Sequence, residues 1–288
     1  MSAGESLALL TRINLDDLVS SFGWEHSDRL ASALRFVFRK PAEKFARWML
    51  DFDAQVGRET LPAAARTMLS KTVAGLQIEG SENLPVSGPT LFLSNHPGMT
   101  DTLCLFAAIG RADLRVIALE RPFLQALPNT SAHLFYVSGN AAARMRAVRQ
   151  GTAHLRAGGA LLTFPAGRIE PDDAVYPGAQ QALKTWTDSA GIFVRLVPET
   201  RIVPVLVRGV LWSSAVKHPL TRLKPAGPER EKLGAALQLL AQILFDLKPV
   251  TPLVRFGRPV NATELGSSDS AVLHNAVLAE MERLLTPK

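Results

Sequence analysis

The chain has 288 residues, 47% of them hydrophobic and 20% charged, which supplies a sizeable core and excludes a disordered or low-complexity chain. Lys and Arg number 32 against 26 Asp and Glu, and the net charge of +6 favours anionic partners, either nucleic acid or an anionic lipid surface. The one cysteine, Cys104, excludes an internal disulfide and any CxxC metal or redox site; its apolar setting predicts a buried, inert thiol.

In chain order, Arg12, Asp16 and Asp17 interrupt the N-terminus before any apolar run of signal-peptide length. No stretch reaches the roughly 18–20 apolar residues needed to cross a bilayer. The expectation is an intracellular chain that does not span a membrane. Residues 1–75 lack strand alternation and read as a helical segment. Before Pro41, Leu30, Leu34, Val37 and Phe38 recur at helical spacing; after it, Phe45, Trp48, Met49, Phe52 and Val56 do the same. Six basic residues lie here (Arg29, Arg35, Arg39, Lys40, Lys44, Arg47) with one acid, Glu43. Two readings stand. The pair is an interfacial anchor with its basic side chains at lipid headgroups, or it is an ordinary helix pair packed on the domain.

From residue 76 to 288 the texture changes to short apolar runs separated by helical pattern. Strands are predicted at Thr90–Ser94, Arg115–Leu119, Leu134–Val137, Ala160–Phe164, Ile192–Val197, Ile202–Arg208 and Leu253–Phe256. Helices are predicted over 101–110, 141–157, 178–190, 229–247 and 270–285, the last capped by Ser268 or Ser270, and residues 224–231 read as a loop. Alternating strand and helix predict an α/β domain, its mostly parallel sheet covered by helices on both faces.

Within "LFLSNHPGMTDTLCLFAAIG" (91–110), His96 and Asp101 stand five positions apart. On one regular helix they would point about 140° apart. They meet only if the histidine lies off the helix, and the signals place it there. "TLFLS" reads as a strand, Pro97 and Gly98 break it, and Thr100 or Asp101 opens a helix. The carboxylate would then hold one imidazole nitrogen and leave the other free as a base.

"SNHPGMTD" resembles the first block of the glycerolipid acyltransferase superfamily, typified by 1-acyl-glycerol-3-phosphate acyltransferases and written N-H-x4-D after a strand. "ALLTFPAGRIEP" (160–171) resembles the family's F-P-E-G-T-R block, "RIVPVLVRG" (201–209) its V-P-V strand, and "VRFGRPV" (254–260) its late G-x-P segment. The resemblance implies transfer of a fatty acyl group from an acyl thioester, acyl-CoA or acyl carrier protein, to the hydroxyl of a lysolipid or glycerophospholipid precursor. It implies no bound cofactor and no metal, with the protein peripheral on the cytoplasmic membrane face. His96 would be the general base oriented by Asp101. Backbone N–H groups near Pro165–Gly167 would stabilise the oxyanion. Phe164, Pro165, Gly167 and Arg168 would contact the acceptor. No G-x-S-x-G elbow, Walker loop or G-x-G-x-x-G fingerprint is present, so serine-hydrolase, P-loop and dinucleotide readings lack support.

Two blocks depart from the pattern. Ala166 stands where the family has glutamate and Arg168 comes one position early, while Gly139 in "HLFYVSGNAAAR" (133–144) stands where an arginine is usual. Both departures touch acceptor positions and point away from glycerol 3-phosphate, with Arg144, Arg146 or Arg149 as other sources of charge. They also prompt an alternative, a lipid-binding relative without turnover. A nucleic-acid-binding protein is prompted by the charge alone, and no such motif accompanies it. His26, His133, His154, His218 and His274 have no carboxylate at a telling spacing and read as structural. Trp186, Tyr176 and Phe193 read as core, and Asp172 and Asp173 as a turn.

Overall fold

The computed structural model describes residues 3–24, 26–225 and 227–286. Three helices come first: α1 (Ala3–Phe22), α2 (Asp28–Arg58) and α3 (Leu61–Thr72). The α/β part follows as β1 (Gln77–Glu79), β2 (Thr90–Ser94), α4 (Asp101–Ile109), β3 (Arg115–Leu119), α5 (Pro122–Gln125), α6 (Pro128–Ser131), β4 (Leu134–Val137), α7 (Ala141–Arg156) and β5 (Ala160–Thr163). It continues with α8 (Ala179–Leu183), α9 (Ala190–Leu196), β6 (Arg201–Arg208), α10 (Ser213–Val216), α11 (Pro228–Phe245), β7 (Leu253–Phe256), α12 (Ala262–Leu265) and α13 (Ser270–Leu285).

The strands form one sheet in the order β1-β7-β6-β2-β5-β3-β4. Neighbours pair parallel except β6 with β7, so β1 and β7 run against the other five. Side chains alternate between its two covered faces. Phe92, Leu162, Val203, Val205 and Val207 pack toward α3 and α4, beside Met68 and Leu105. Leu91, Leu93, Leu161, Ile202 and Leu206 pack toward α8, α9 and α13, beside Val194 and Met281. With both faces covered, every residue of β2 is buried. Pro204 fits inside β6 because its neighbour bulges there: Val205 pairs with Phe256 but Ile202 with Val260, one extra residue on the partner side.

Several expectations are corrected. Residues 190–196 form α9, not a strand. Its buried side chains Ala190, Phe193, Val194 and Val197 follow a 3–4 spacing that a short apolar run does not distinguish from a strand. The helix expected over 178–190 ends at Leu183. The strand expected to reach Phe164 stops at Thr163, and residues 228–231 of the expected loop open α11 with Pro228 at its first turn. Asp269, between the two expected serines, caps α13 by accepting from the N–H groups of Ala271 and Val272. Strand β1 was not expected: "QIE" is short and largely exposed at the sheet edge. Pro41 does not separate two helices but sits inside the 31 residues of α2.

Within α2 the two halves differ. Phe52 and Val56 join the main core. Leu30, Phe36 and Val37 face outward, Phe36 with 86% of its surface exposed. Arg35 pairs with Asp16, Lys44 with Asp246 and Arg47 with Glu43. Arg29, Arg39 and Lys40 make no ion pair among the described residues. No described helix is long and apolar enough to cross a membrane.

Candidate active site

The site lies at the carboxyl ends of β2, β5 and β6, where open α/β sheets hold ligands. Register brings them level: Leu93 pairs with Thr163 and Ser94 with Val205. Just past β2, the Asn95 amide donates to the Val207 carbonyl and accepts from the Val207 N–H, both at 2.8 Å. One side chain with a donor and an acceptor thus continues the ladder while the backbone turns away.

Gly98 and Met99 both adopt left-handed backbone, φ 85° and 54°, and reverse the chain into α4. For methionine this conformation is strained, a signature that clusters at functional sites. The reversal lets Asp101, 1% exposed, reach back. Its Oδ2 lies 2.7 Å from His96 Nδ1 and accepts from the Gly98 N–H at 2.7 Å. Its Oδ1 accepts from the N–H and hydroxyl of Thr102. The Gly98 N–H donates to the same oxygen that faces Nδ1, so that oxygen meets the ring as an acceptor. Nδ1 therefore carries the proton and donates, which leaves the Nε2 lone pair as the proton acceptor. Burial lowers the proton affinity of His96, but the charge and hydrogen bond of Asp101, with the charge of Glu170, outweigh it. The imidazole pKa ends above its ordinary 6.5, with Arg121 opposing.

Phe164 stacks on the His96 ring, centroids 4.3 Å apart and planes 28° from parallel. Pro165 is buried, whereas Gly167 and Arg168 are exposed. Within the stretch expected to hold the oxyanion, Pro165 has no N–H and the Gly167 N–H donates to the Phe164 carbonyl at 3.0 Å. The N–H groups of Ala166 and Arg168 are the ones left. Gly167 instead supplies the turn, with φ 63°. Arg144, Arg146 and Arg149 are exposed on α7. Cys104 is fully buried, and burial pushes its thiol up to about 12.

The sequence reading missed Arg121 and Glu170, and gave Asp172 only as part of a turn. Arg121, whose charge reaches His96, begins α5 after β3. Glu170 is buried against the His96 backbone. Asp172, fully buried, accepts from the N–H groups of Gly209 at 2.8 Å, Leu211 at 2.9 Å and Ala174 at 3.1 Å, pinning the loop after β5 to the end of β6. Elsewhere His133 contacts Arg115, His154 the carbonyls of Asp113 and Ala160, and His218 caps a 3₁₀ turn, each away from the site.

Beside the His96 loop opens a cavity of about 390 Å³ between α1, α2 and α11, lined by Leu18, Phe38, Phe45, Met99, Phe123 and Leu239 among others.

The Acyltransferase family model matches residues 75–208, the stretch from just before β1 to the end of β6 that carries His96, Asp101 and the loop after β5. Over that stretch the chain carries an acyltransferase domain. No curated protein matches it. Among solved structures, the chain resembles the 1-acyl-sn-glycerophosphate (LPA) acyltransferase PlsC from Thermotoga maritima at 17% identity. That match covers 95% of this chain and 96% of the other with a TM-score of 0.48, a likeness that assigns no substrate here.

Proposed function

We propose that this acyltransferase moves a fatty acyl group from an acyl thioester, carried by coenzyme A or acyl carrier protein, to the hydroxyl of a lysolipid at an anionic membrane surface. The observation that carries the proposal is the 2.7 Å contact between His96 and a buried Asp101 inside the matched domain. The acceptor hydroxyl gives its proton to His96 Nε2 as its oxygen attacks the thioester carbonyl carbon. The tetrahedral intermediate collapses with cleavage of the carbon–sulfur bond, and the departing thiolate takes the proton back from the imidazolium. Ester and free thiol result, with no acyl-enzyme step. Candidate donors to the oxyanion are the N–H groups of Ala166 and Arg168.

The cavity fits the acyl chain. Its volume lies within the roughly 300–1,000 Å³ of small-molecule sites, its walls are mostly apolar, and Met99 brings it to within three residues of the base. Exposed Phe36 and Val37 with Arg29, Arg39 and Lys40 suit contact with anionic lipid. The loss of glutamate at position 166 favours a lysolipid with a headgroup other than plain phosphate. The test is incubation with labelled acyl-CoA or acyl carrier protein and a panel of lysolipids, read by mass spectrometry. No ester above the level of a His96→Ala control, with every donor and acceptor, would sink the proposal.

A further inference from the structure

Glu170 is 3% exposed and lies outside the positions that the family resemblance assigns. Its Oε2 accepts from the His96 backbone N–H at 3.0 Å and its Oε1 from the Trp186 indole N–H at 2.8 Å. Its own N–H donates to the His96 carbonyl at 2.8 Å. Both carboxylate oxygens face donors, which an ionised group satisfies together; an amide would turn hydrogens toward one of them. Trp186 is buried in the apolar cluster beneath the sheet, so the carboxylate is held from below by the core. Asp101 and Phe164 fix the imidazole ring, and Glu170 fixes the backbone that carries it.

We propose that Glu170 is a positioning residue for the general base, locking the His96 backbone in place and setting a second negative charge behind the imidazole that stabilises the imidazolium formed during transfer. The glutamate missing at position 166 is thus not restored at the acceptor; the chain places one four residues later and turns it inward under the base. The charged groups facing His96 are Asp101, Glu170 and Arg121, the first two holding its proton affinity up and Arg121 drawing it down. Those facing Glu170 are His96 and Arg168. Burial raises the proton affinity of Glu170 itself, against the hydrogen bonds from Trp186 and His96 and those two charges, so acid neutralises it earlier than an exposed glutamate.

The inference rests on His96 acting as base, and its test reads Glu170 independently of turnover. In the full-length protein labelled with 15N at histidine, the His96 signals are assigned by their loss in His96→Gln and titrated by NMR. Glu170→Gln should lower the His96 midpoint, and Trp186→Phe, which leaves the carboxylate in place but removes one of its donors, should lower it less. In the transfer assay Glu170→Gln should lower kcat about tenfold or more with KM for the acceptor little changed, and move the acidic limb of the rate profile to lower pH. An unmoved midpoint, or a loss of rate equal at every pH, overturns the proposal. If Glu170→Gln does not fold, Glu170→Asp keeps the charge and withdraws the oxygens: the wild-type midpoint with reduced kcat supports the proposal, and wild-type kcat overturns it. A shifted midpoint in a protein without acyl transfer would remove the functional reading and leave the assignment of Glu170 standing as an electrostatic partner of His96.

Discussion

The loops after β2 and after β5 meet at the same point but are held in different ways. In the first, the decisive contact spans five residues, His96 to Asp101, and the Gly98–Met99 reversal that makes it possible lies between them. In the second, Glu170 binds a residue 74 positions away and Asp172 binds residues 37 and 39 positions away. The contact that makes the first loop a site is local to it. The other is held from outside, its buried carboxylates accepting from the loop after β2 and from residues just past β6.

The contrast breaks most sharply at the first loop. His96→Ala should lower kcat/KM by roughly 10² to 10⁴ while leaving the fold intact, and Asp101→Asn should lose much of the same activity through the wrong tautomer. More than about a tenth of wild-type turnover in His96→Ala would remove the base mechanism. The second loop should respond in stability instead. Asp172→Ala leaves the N–H groups of Gly209 and Leu211 buried and unpaired, at about 1–3 kcal/mol each. Urea denaturation should register a loss of about 3 kcal/mol or more; a loss below 1 kcal/mol would mean that the loop is not pinned as described.

Away from the loops, reversing Arg29, Arg39 and Lys40 to Glu should weaken binding to anionic vesicles by about 1 kcal/mol per basic residue near the surface. Lys44 is a poor choice for that test, because its Nζ donates to the Ile243 carbonyl and to Asp246 and so ties α2 to α11. Unchanged vesicle affinity would leave α2 as an ordinary packed helix. Arg168→Ala should raise KM for the true acceptor about tenfold and leave the donor KM alone. A best rate with glycerol 3-phosphate or lysophosphatidate would instead assign the anion to Arg121 or to the α7 arginines.

The smallest effect is a displacement along the pH axis. Because the folded pKa of His96 lies above its ordinary 6.5, the neutral base is lost as pH falls through that raised value, and the acidic limb of kcat/KM should have its midpoint above 6.5. The same shift links to folding with the opposite sense. The protonated imidazole contributes stability below pH 6.5, and that contribution disappears as pH rises through the folded value. Urea titrations of wild type and His96→Gln at acid and alkaline pH should converge at the alkaline end; a gap that widens with pH would contradict the raised affinity.

The sequence by itself determined the elements whose signal is local. β2, β3, β4 and β7 were legible as β-branched or apolar runs within a residue of their ends, and the His96–Asp101 loop as a strand, a Pro-Gly break and a helix start. Where periodicity is ambiguous, tertiary structure decided. The run at 190–196 became helix because its four buried positions share one face against α13 and β6, and "QIE" became a strand because β7 was there to pair with it. The same holds for α2, whose residues across Pro41 stay helical because α1 packs along them. In the site, sequence offered the base, its aspartate and the turn at Asp172, but not Glu170, Arg121 or the bonds from Asp172 to the end of β6. A buried carboxylate is defined by the donors around it, and apart from the Trp186 indole those donors are backbone N–H groups that every residue but proline carries and no sequence pattern marks.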